Sequence, residues 1–143
     1  MPRKYLKGTW QEEERAYSPA VITRGGKTVW LAGVVAGTDE EGDFEPVEGA
    51  EGDHHLMAGD FAAQAHSVFR NIGKTMEQVG GTLQDLVTMT VFIVDVRHGD
   101  EFVKIRKQYF PEGKPASAMI TVARLAHPDL LIEIQAVGVV DEK

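Results

Sequence analysis

Apolar side chains recur with the period of an α-helix between residues 60 and 79. Successive apolar positions lie four, three, four, four and three residues apart, so they share one helical face. Asp60 is the predicted N-cap because its carboxylate can accept hydrogen bonds from first-turn amides. Gly80 and Gly81 supply a C-terminal stop. The predicted apolar face consists of Phe61, Ala65, Val68, Ile72, Met76 and Val79.

A second amphipathic helix is predicted over residues 100–110. Proline and glycine residues follow it at once and end it. We place Arg106 and Lys107 on its polar face, away from the core. The predicted apolar face consists of Phe102, Ile105 and Tyr109.

Runs of β-branched and other apolar residues predict the strands. Gly25 and Gly26 indicate a hairpin turn between the first two of them. This order of elements predicts an α+β fold in which two helices cover one face of a mixed sheet. Since two helices cannot cover both faces, we expect the other face to pack against further copies of the chain. The predicted strands are residues 20–24, 28–32, 86–94, 118–124 and 130–140.

Composition supports one ordinary globular domain over residues 1–143. Apolar residues make up 43% of the chain and charged residues 26%. The absence of cysteine excludes disulfides, thiolate nucleophiles and zinc–thiolate sites. We find neither a signal-peptide pattern nor an apolar run of membrane-spanning length, so we expect a cytoplasmic protein with no membrane partner.

The net charge of −7 is concentrated in a long acidic loop at residues 37–59. No lysine or arginine occurs between Lys27 and Arg70, and the loop contains five glycines and Pro46. Such a surface repels phosphate backbones, which disfavours nucleic-acid binding. The loop is interpreted as a solvated, mobile segment, with a lid or a cation-binding loop as alternatives.

A metal site in this loop is a weak hypothesis. Asp53, His54 and His55 carry ligand-type side chains, but adjacent residues of one loop rarely bind the same ion together. We therefore expect no metal ion and no cofactor.

Five segments together resemble the Rid/YjgF family of imine and enamine deaminases, also labelled endoribonuclease L-PSP, over about residues 16–140. The resemblance implies a chorismate-mutase-like fold, a homotrimer with a barrel core, and active-site clefts between subunits. The segments are AYSPAV (16–21), VWLAGVVA (29–36), QAHSVFRNI with its terminal glycine pair (64–81), DLVTMTVFIVDV (85–96), and KPAS with VARLAHPDLLIEIQAVGV (114–139).

The resemblance also assigns candidate site residues. Glu133 matches the glutamate that positions or activates water for attack on the imine carbon, and Tyr17 matches a tyrosine of the family's site. The loop 115–118 matches Pro-Ala-Arg-Ser, with Ala116 at the position of the family's alanine and Ser117 at the position of the carboxylate-binding arginine. Both candidate catalytic residues have structural interpretations too: Glu133 could face solvent, and Tyr17 could be a core aromatic.

Without an arginine at position 117, small anionic imines are expected to bind weakly, because a charge-assisted hydrogen bond contributes about 1.5–3 kcal/mol. Arg24, in the first hairpin, and Arg106, on the second helix, are candidate substitutes. The preferred hypothesis is a hydrolase that acts on an atypical imine or enamine. A non-catalytic trimer that binds small metabolites is the alternative. Ribonuclease activity is a third, which the acidic surface disfavours.

Overall fold

A computed structural model of the chain describes residues 3–9, 12, 14–37 and 59–142. The predicted acidic loop, except for its end residues 37 and 59, and its pair of histidines lie outside the described residues. Neither main helix is long and apolar enough to cross a membrane, as far as the described residues are concerned. The elements are β1 (Arg3–Tyr5), β2 (Val21–Thr23), β3 (Lys27–Trp30), α1 (Phe61–Glu77), β4 (Leu86–Ile93), α2 (Gly99–Tyr109), β5 (Ala116–Thr121) and β6 (Ile132–Val140).

The main sheet is mixed, with strand order β3-β6-β4-β5. Strand β4 pairs in parallel with β5 and antiparallel with β6, and β6 pairs antiparallel with β3. Strands β1 and β2 form a separate antiparallel pair. The predicted α+β fold, with two helices and a mixed sheet, is confirmed.

The predicted pairing of the first two strands is wrong. Gly25 and Gly26 do form a turn, with φ angles of 72° and 79°. The strands that they join nevertheless belong to different sheets, because β2 pairs with β1 and β3 pairs with β6. Strand β6, with nine residues, offers β3 a longer hydrogen-bonding edge than the three-residue β2 can.

Helices α1 and α2 pack on one face of this sheet and enclose the core. The N-cap prediction for α1 is confirmed, since the Ala63 amide donates to Asp60 Oδ1 at 3.0 Å. Gly80, just past the helix, has a φ of 80°, which suits the left-handed turn that ends it. The core includes Phe69, Ile72 and Met76 of α1, Phe102 and Ile105 of α2, and Met89, Val91, Ile93, Ile132 and Ile134 of the sheet.

The predicted polar face of α2 is only half right. Lys107 is exposed, but Arg106 is 2% exposed and lies on the buried side of the helix. The reason is its position one helical turn after Phe102, a fully buried core residue, because side chains four residues apart share a face. Arg106 is therefore a buried cation.

The sheet face opposite the helices is open in the single chain. Trp30 pairs with Val137, and both side chains are on this face. Trp30 is 79% exposed and Ile120 is 45% exposed, which is unusual for large apolar residues of a sheet. This surface, which we call the uncovered face, is the one that the sequence predicts to pack against other copies.

A half-buried histidine, His66, gives α1 and α2 a contact that depends on pH. His66 Nδ1 lies 2.6 Å from the Tyr109 hydroxyl. Burial, followed by the nearby charge of Arg70, lowers the pKa of His66 below its usual 6.5. Between the two pKa values the unfolded chain binds more protons, so the free energy of unfolding decreases as the pH falls through 6.5 towards the folded-state pKa.

We therefore expect His66→Gln to lose less stability on acidification than the unsubstituted protein. The difference should be small, about 0.5 kcal/mol or less, because the imidazole is partly solvated. Urea unfolding at pH values on either side of this window measures it. Identical pH dependence in the two proteins would show that His66 does not titrate in this way.

Candidate active site

Helix α2 places the guanidinium of Arg106 beside the first residues of strand β5. Its Nη1 donates to Ser117 Oγ at 2.7 Å, and its Nη2 donates to the Arg15 carbonyl at 2.7 Å. A weaker contact joins Nη1 to Met89 Sδ at 4.0 Å. The family resemblance implies an arginine at position 117. Here Ser117 occupies that position and accepts a hydrogen bond from Arg106.

Two aromatic rings flank this guanidinium. Arg106 Cζ lies 5.0 Å from the centroid of the Phe102 ring and 6.0 Å from that of Tyr17. Both distances suit cation–π attraction. Tyr17 and Ser117, predicted to share a site, therefore meet through Arg106.

The charge of Arg106 is poorly compensated. Desolvation, and then the like charge of Arg15, lowers the pKa of Arg106 to about 10, so the guanidinium is still charged at neutral pH. Within the described part of the chain, Arg106 forms no ion pair, and its Nε is buried without a hydrogen-bond partner. The neighbouring cation Arg15 is itself paired with Asp100.

The segment that carries Tyr17 is held along the outer edge of β5. Ser18 and Ala116 form a parallel β-bridge, in which the Ser18 amide donates to the Pro115 carbonyl at 3.0 Å. Ser18 Oγ also donates to the Lys114 carbonyl at 2.6 Å. The carbonyls of Lys114 and Pro115, immediately before Ala116, thus anchor the neighbour of Tyr17.

A groove of about 450 Å³ opens beside this segment. Tyr17 and Ser18 line it, together with the cations Lys7 and Lys114 and the oppositely charged Glu112. Tyr17 therefore lies between the groove, which it lines, and the guanidinium of Arg106.

Glu133 lies on β6, opposite Phe92 of β4. Its carboxylate is packed against Gly33, where a Cβ atom would collide with Glu133 Oε2. Any larger residue at position 33 would therefore push the carboxylate away. The side chain of Glu133 is half-buried and belongs to the uncovered face.

Glu133 and Ser117 lie on opposite faces of the sheet. Ser117 pairs with Met89, a core residue on the helix side, whereas Glu133 pairs with Phe92 on the other side. Side chains alternate between faces along a strand, so one chain cannot bring the two together. The predicted cleft of Tyr17, Ser117 and Glu133 requires residues from two copies of the chain.

A buried glutamine of α1 fixes the start of β6. Gln64 is fully buried; its Nε2 donates to the Asp129 carbonyl, and its Oε1 accepts from the Leu131 amide, both at 2.8 Å. Leu131 is two residues before Glu133. This side chain was not singled out from the sequence, because a glutamine on a helix usually faces solvent.

The other candidate arginine lies elsewhere. Arg24 is exposed at the turn between β2 and β3. The described residues show no hydrogen bond between Arg24 and the cluster around Ser117. Of the two candidate arginines, Arg106 is the one whose side chain contacts Ser117.

The mixed sheet with two helices on one face defines a chorismate-mutase-like α+β domain. More specifically, the chain belongs to the Endoribonuclease L-PSP family, which includes the Rid and YjgF proteins; the family model matches residues 11–140.

Individual relatives agree with this assignment. A RutC family protein of Pyrococcus abyssi is 30% identical over 122 residues, which cover 85% of this chain and 84% of the relative. The solved structure of a Rid family protein of unknown function from Yersinia pestis has a TM-score of 0.79 at 25% identity, covering 98% of this chain and 100% of its own. A YjgF/YER057c/UK114 family member from Mycobacterium tuberculosis has a TM-score of 0.63 at 28% identity, covering 97% of this chain and 100% of its own.

Proposed function

We propose that this protein is a homotrimeric hydrolase that acts on imine or enamine intermediates in clefts between its subunits. The observation that carries the proposal is the position of Glu133, a carboxylate held against Gly33 on the uncovered face. Ser117 is on the helix side of the sheet, where the Arg106 guanidinium lies beside both Ser117 and Tyr17. A cleft that combines these residues with Glu133 needs a second subunit, as the family resemblance implies.

The uncovered face supports the assembly. It carries the exposed rings and aliphatic side chains of Trp30 and Ile120, next to the half-buried Phe92 and Val137. Burying such a surface between copies removes apolar area from water and stabilises the oligomer. Glu133, at the same face, would then lie at a subunit boundary.

The chemistry needs few groups. Water attacks the C=N carbon while the Glu133 carboxylate accepts a proton from it. Glu133 passes this proton to the imine nitrogen, which gives a carbinolamine. The same carboxylate then transfers the carbinolamine hydroxyl proton to the amino group as the C–N bond breaks, so that ammonia leaves and the carbonyl product remains. The Tyr17 hydroxyl can hydrogen-bond to the substrate or to the attacking water, since tyrosine both donates and accepts.

A specific departure favours the second candidate, a trimer that binds metabolites without hydrolysing them. Ser117 stands where the deaminases carry an arginine, so the site has changed at a residue that contacts substrate in that resemblance. The ribonuclease activity in the family's name is disfavoured by the net charge of −7, which repels phosphate backbones.

An imine-partition assay separates the two candidates. An L-amino-acid oxidase generates 2-imino acids in the presence of semicarbazide, which traps any imine that is not hydrolysed first. We expect the protein to lower semicarbazone formation for at least one amino-acid substrate and to release the keto acid and ammonia instead. Unchanged partition for every imine tested, with protein equimolar to the oxidase, would favour the non-catalytic binding protein.

A further inference from the structure

The backbone immediately before Tyr17 is strained at Ala16. This residue has a φ of 65°, the only positive value outside glycine among the described residues, and its side chain is fully buried. A left-handed conformation is unfavourable for a residue with a Cβ atom, so it persists only where neighbouring contacts hold it. Such strain is concentrated at functional sites, which directs attention to the contacts that maintain it.

A hydrogen bond from Arg106 fixes the peptide group that precedes Ala16. Arg106 Nη2 donates to the Arg15 carbonyl at 2.7 Å. The φ angle of a residue describes rotation relative to the peptide group before it, so relaxing Ala16 to a negative φ would turn this carbonyl away. The buried guanidinium would then lose one of the two oxygen acceptors that the described residues give it, which is costly for a cation out of water. Arg106 therefore opposes the relaxation of Ala16.

The same guanidinium connects the backbone before Tyr17 to strand β5. Its Nη1 donates to Ser117 Oγ at 2.7 Å, and its Cζ lies 6.0 Å from the centroid of the Tyr17 ring. Helix α2 also contacts this part of the chain through two ion pairs, Arg15–Asp100 and Glu14–Lys107. The side chains of both pairs are at least 43% exposed, and exposed pairs contribute little. The buried contacts of Arg106 are therefore the main restraint from α2.

We propose that Arg106 is a positioning residue: by holding the Arg15 carbonyl, it keeps Ala16 in its strained conformation and so fixes the Tyr17 hydroxyl for the reaction in the cleft. The inference rests on the proposed function for the part that Tyr17 plays in turnover, but the position of the ring can be measured without turnover. It also accounts for the buried charge, because an apolar side chain of similar length has no N–H donors for the carbonyl and for Ser117.

A double-mutant cycle in the imine-partition assay tests this coupling. We expect Arg106→Met to lower the hydrolysis rate at least tenfold in the unsubstituted background. In Tyr17→Phe it should lower the rate less than twofold, because the hydroxyl that Arg106 positions is absent there. General destabilisation would instead cause the same loss in both backgrounds, and that result would overturn the proposal. Lys104→Met, which removes an exposed cation of the same helix, should change the rate less than twofold.

Glycine at position 16 tests the strain, because glycine adopts a φ of 65° without steric cost. We expect Ala16→Gly to raise the rate of Arg106→Met at least threefold. In the unsubstituted background it should leave the urea midpoint unchanged or raise it. Ala20→Gly, a few residues along the chain and not at a positive φ, should lower the midpoint and rescue nothing. Equal effects of the two glycine substitutions would show that there is no strain for Arg106 to maintain.

A readout without turnover uses protein labelled with 3-fluorotyrosine. The ¹⁹F signal of Tyr17, identified by its absence in Tyr17→Phe, should shift in Arg106→Met and stay in place in Lys104→Met. Adding Ala16→Gly to Arg106→Met should return the signal part of the way, which a direct effect of the lost charge would not do. Arg106→Lys replaces Arg106→Met if the latter fails to fold, since an ammonium lacks the planar pair of donors that reaches both acceptors.

The outcomes separate this inference from the proposed function. An unchanged Tyr17 signal in a folded Arg106 variant, or a shifted signal that Ala16→Gly does not return, would overturn the positioning role even in a protein that hydrolyses imines. A signal that shifts and returns as expected, in a protein that hydrolyses no imine, would support the positioning role and contradict the proposed function.

Discussion

Glu133→Gln is expected to slow imine hydrolysis by about 10²–10⁴-fold, the usual effect of losing a general base. Glutamine keeps the shape of the side chain next to Gly33 but cannot accept a proton from the attacking water. The trimer should remain intact, because the substitution preserves volume and removes a charge from the subunit boundary. The imine-partition assay gives the rate, and light scattering gives the mass.

Two controls make this result specific. Glu101→Gln removes an exposed carboxylate from α2 and should leave the rate unchanged. Mixed trimers of Glu133→Gln and Tyr17→Phe subunits should be more active than either variant alone, because about one quarter of the clefts would combine an intact residue of each kind from two subunits. Full activity of Glu133→Gln would contradict the proposed mechanism, and mixed trimers as inactive as their parents would contradict a cleft shared between subunits.

Trp30→Asp is expected to abolish the trimer and, with it, all hydrolysis. Trp30 is 79% exposed in the single chain, so the substitution costs the subunit itself little stability. In an assembly it would place a carboxylate within a buried apolar contact, where large aromatic residues contribute about 2–4 kcal/mol each. Light scattering should then give a mass near 15.7 kDa, the mass of one chain.

Val96→Asp is the matched control for this substitution. Val96 is also an exposed apolar residue, at 68%, but it belongs to a short 3₁₀ helix before α2 and not to the sheet. The same change there should leave the trimer and the activity intact. A stable trimer of Trp30→Asp, or a monomer from the unsubstituted protein at micromolar concentration, would show that the uncovered face is not the subunit interface.

The elements of the fold were largely predictable, but their pairing was not. The spacing of apolar residues located α1 and its N-cap Asp60 because both depend on local sequence. The hairpin expected at Gly25 failed because a turn signal specifies only that the chain reverses. Which edge a strand then joins depends on all the edges present, and here β6 is the longer partner for β3.

The residues of the candidate site were proposed from the sequence, but their arrangement could not be. Glu133, Tyr17 and Ser117 were found through family resemblance, yet nothing local to them indicates that Glu133 is on the opposite sheet face from Ser117. Arg106 was assigned to the polar face of α2 because charged residues are rarely buried. Its spacing of four residues from Phe102 instead predicts a position on the buried face of the helix, and we gave the charge more weight than the spacing.

The contact between Gln64 and the chain before β6 has an evolutionary consequence. The contact connects helix α1 to strand β6 through the backbone of Asp129 and Leu131. Helix α1 packs on one face of the sheet, whereas the Glu133 side chain of β6 is on the opposite face. Substitutions along α1 can therefore alter the direction in which this carboxylate points while every residue that touches the substrate stays the same. Relatives with identical cleft residues could in this way diverge in reaction rate, and comparing their clefts alone would not reveal why.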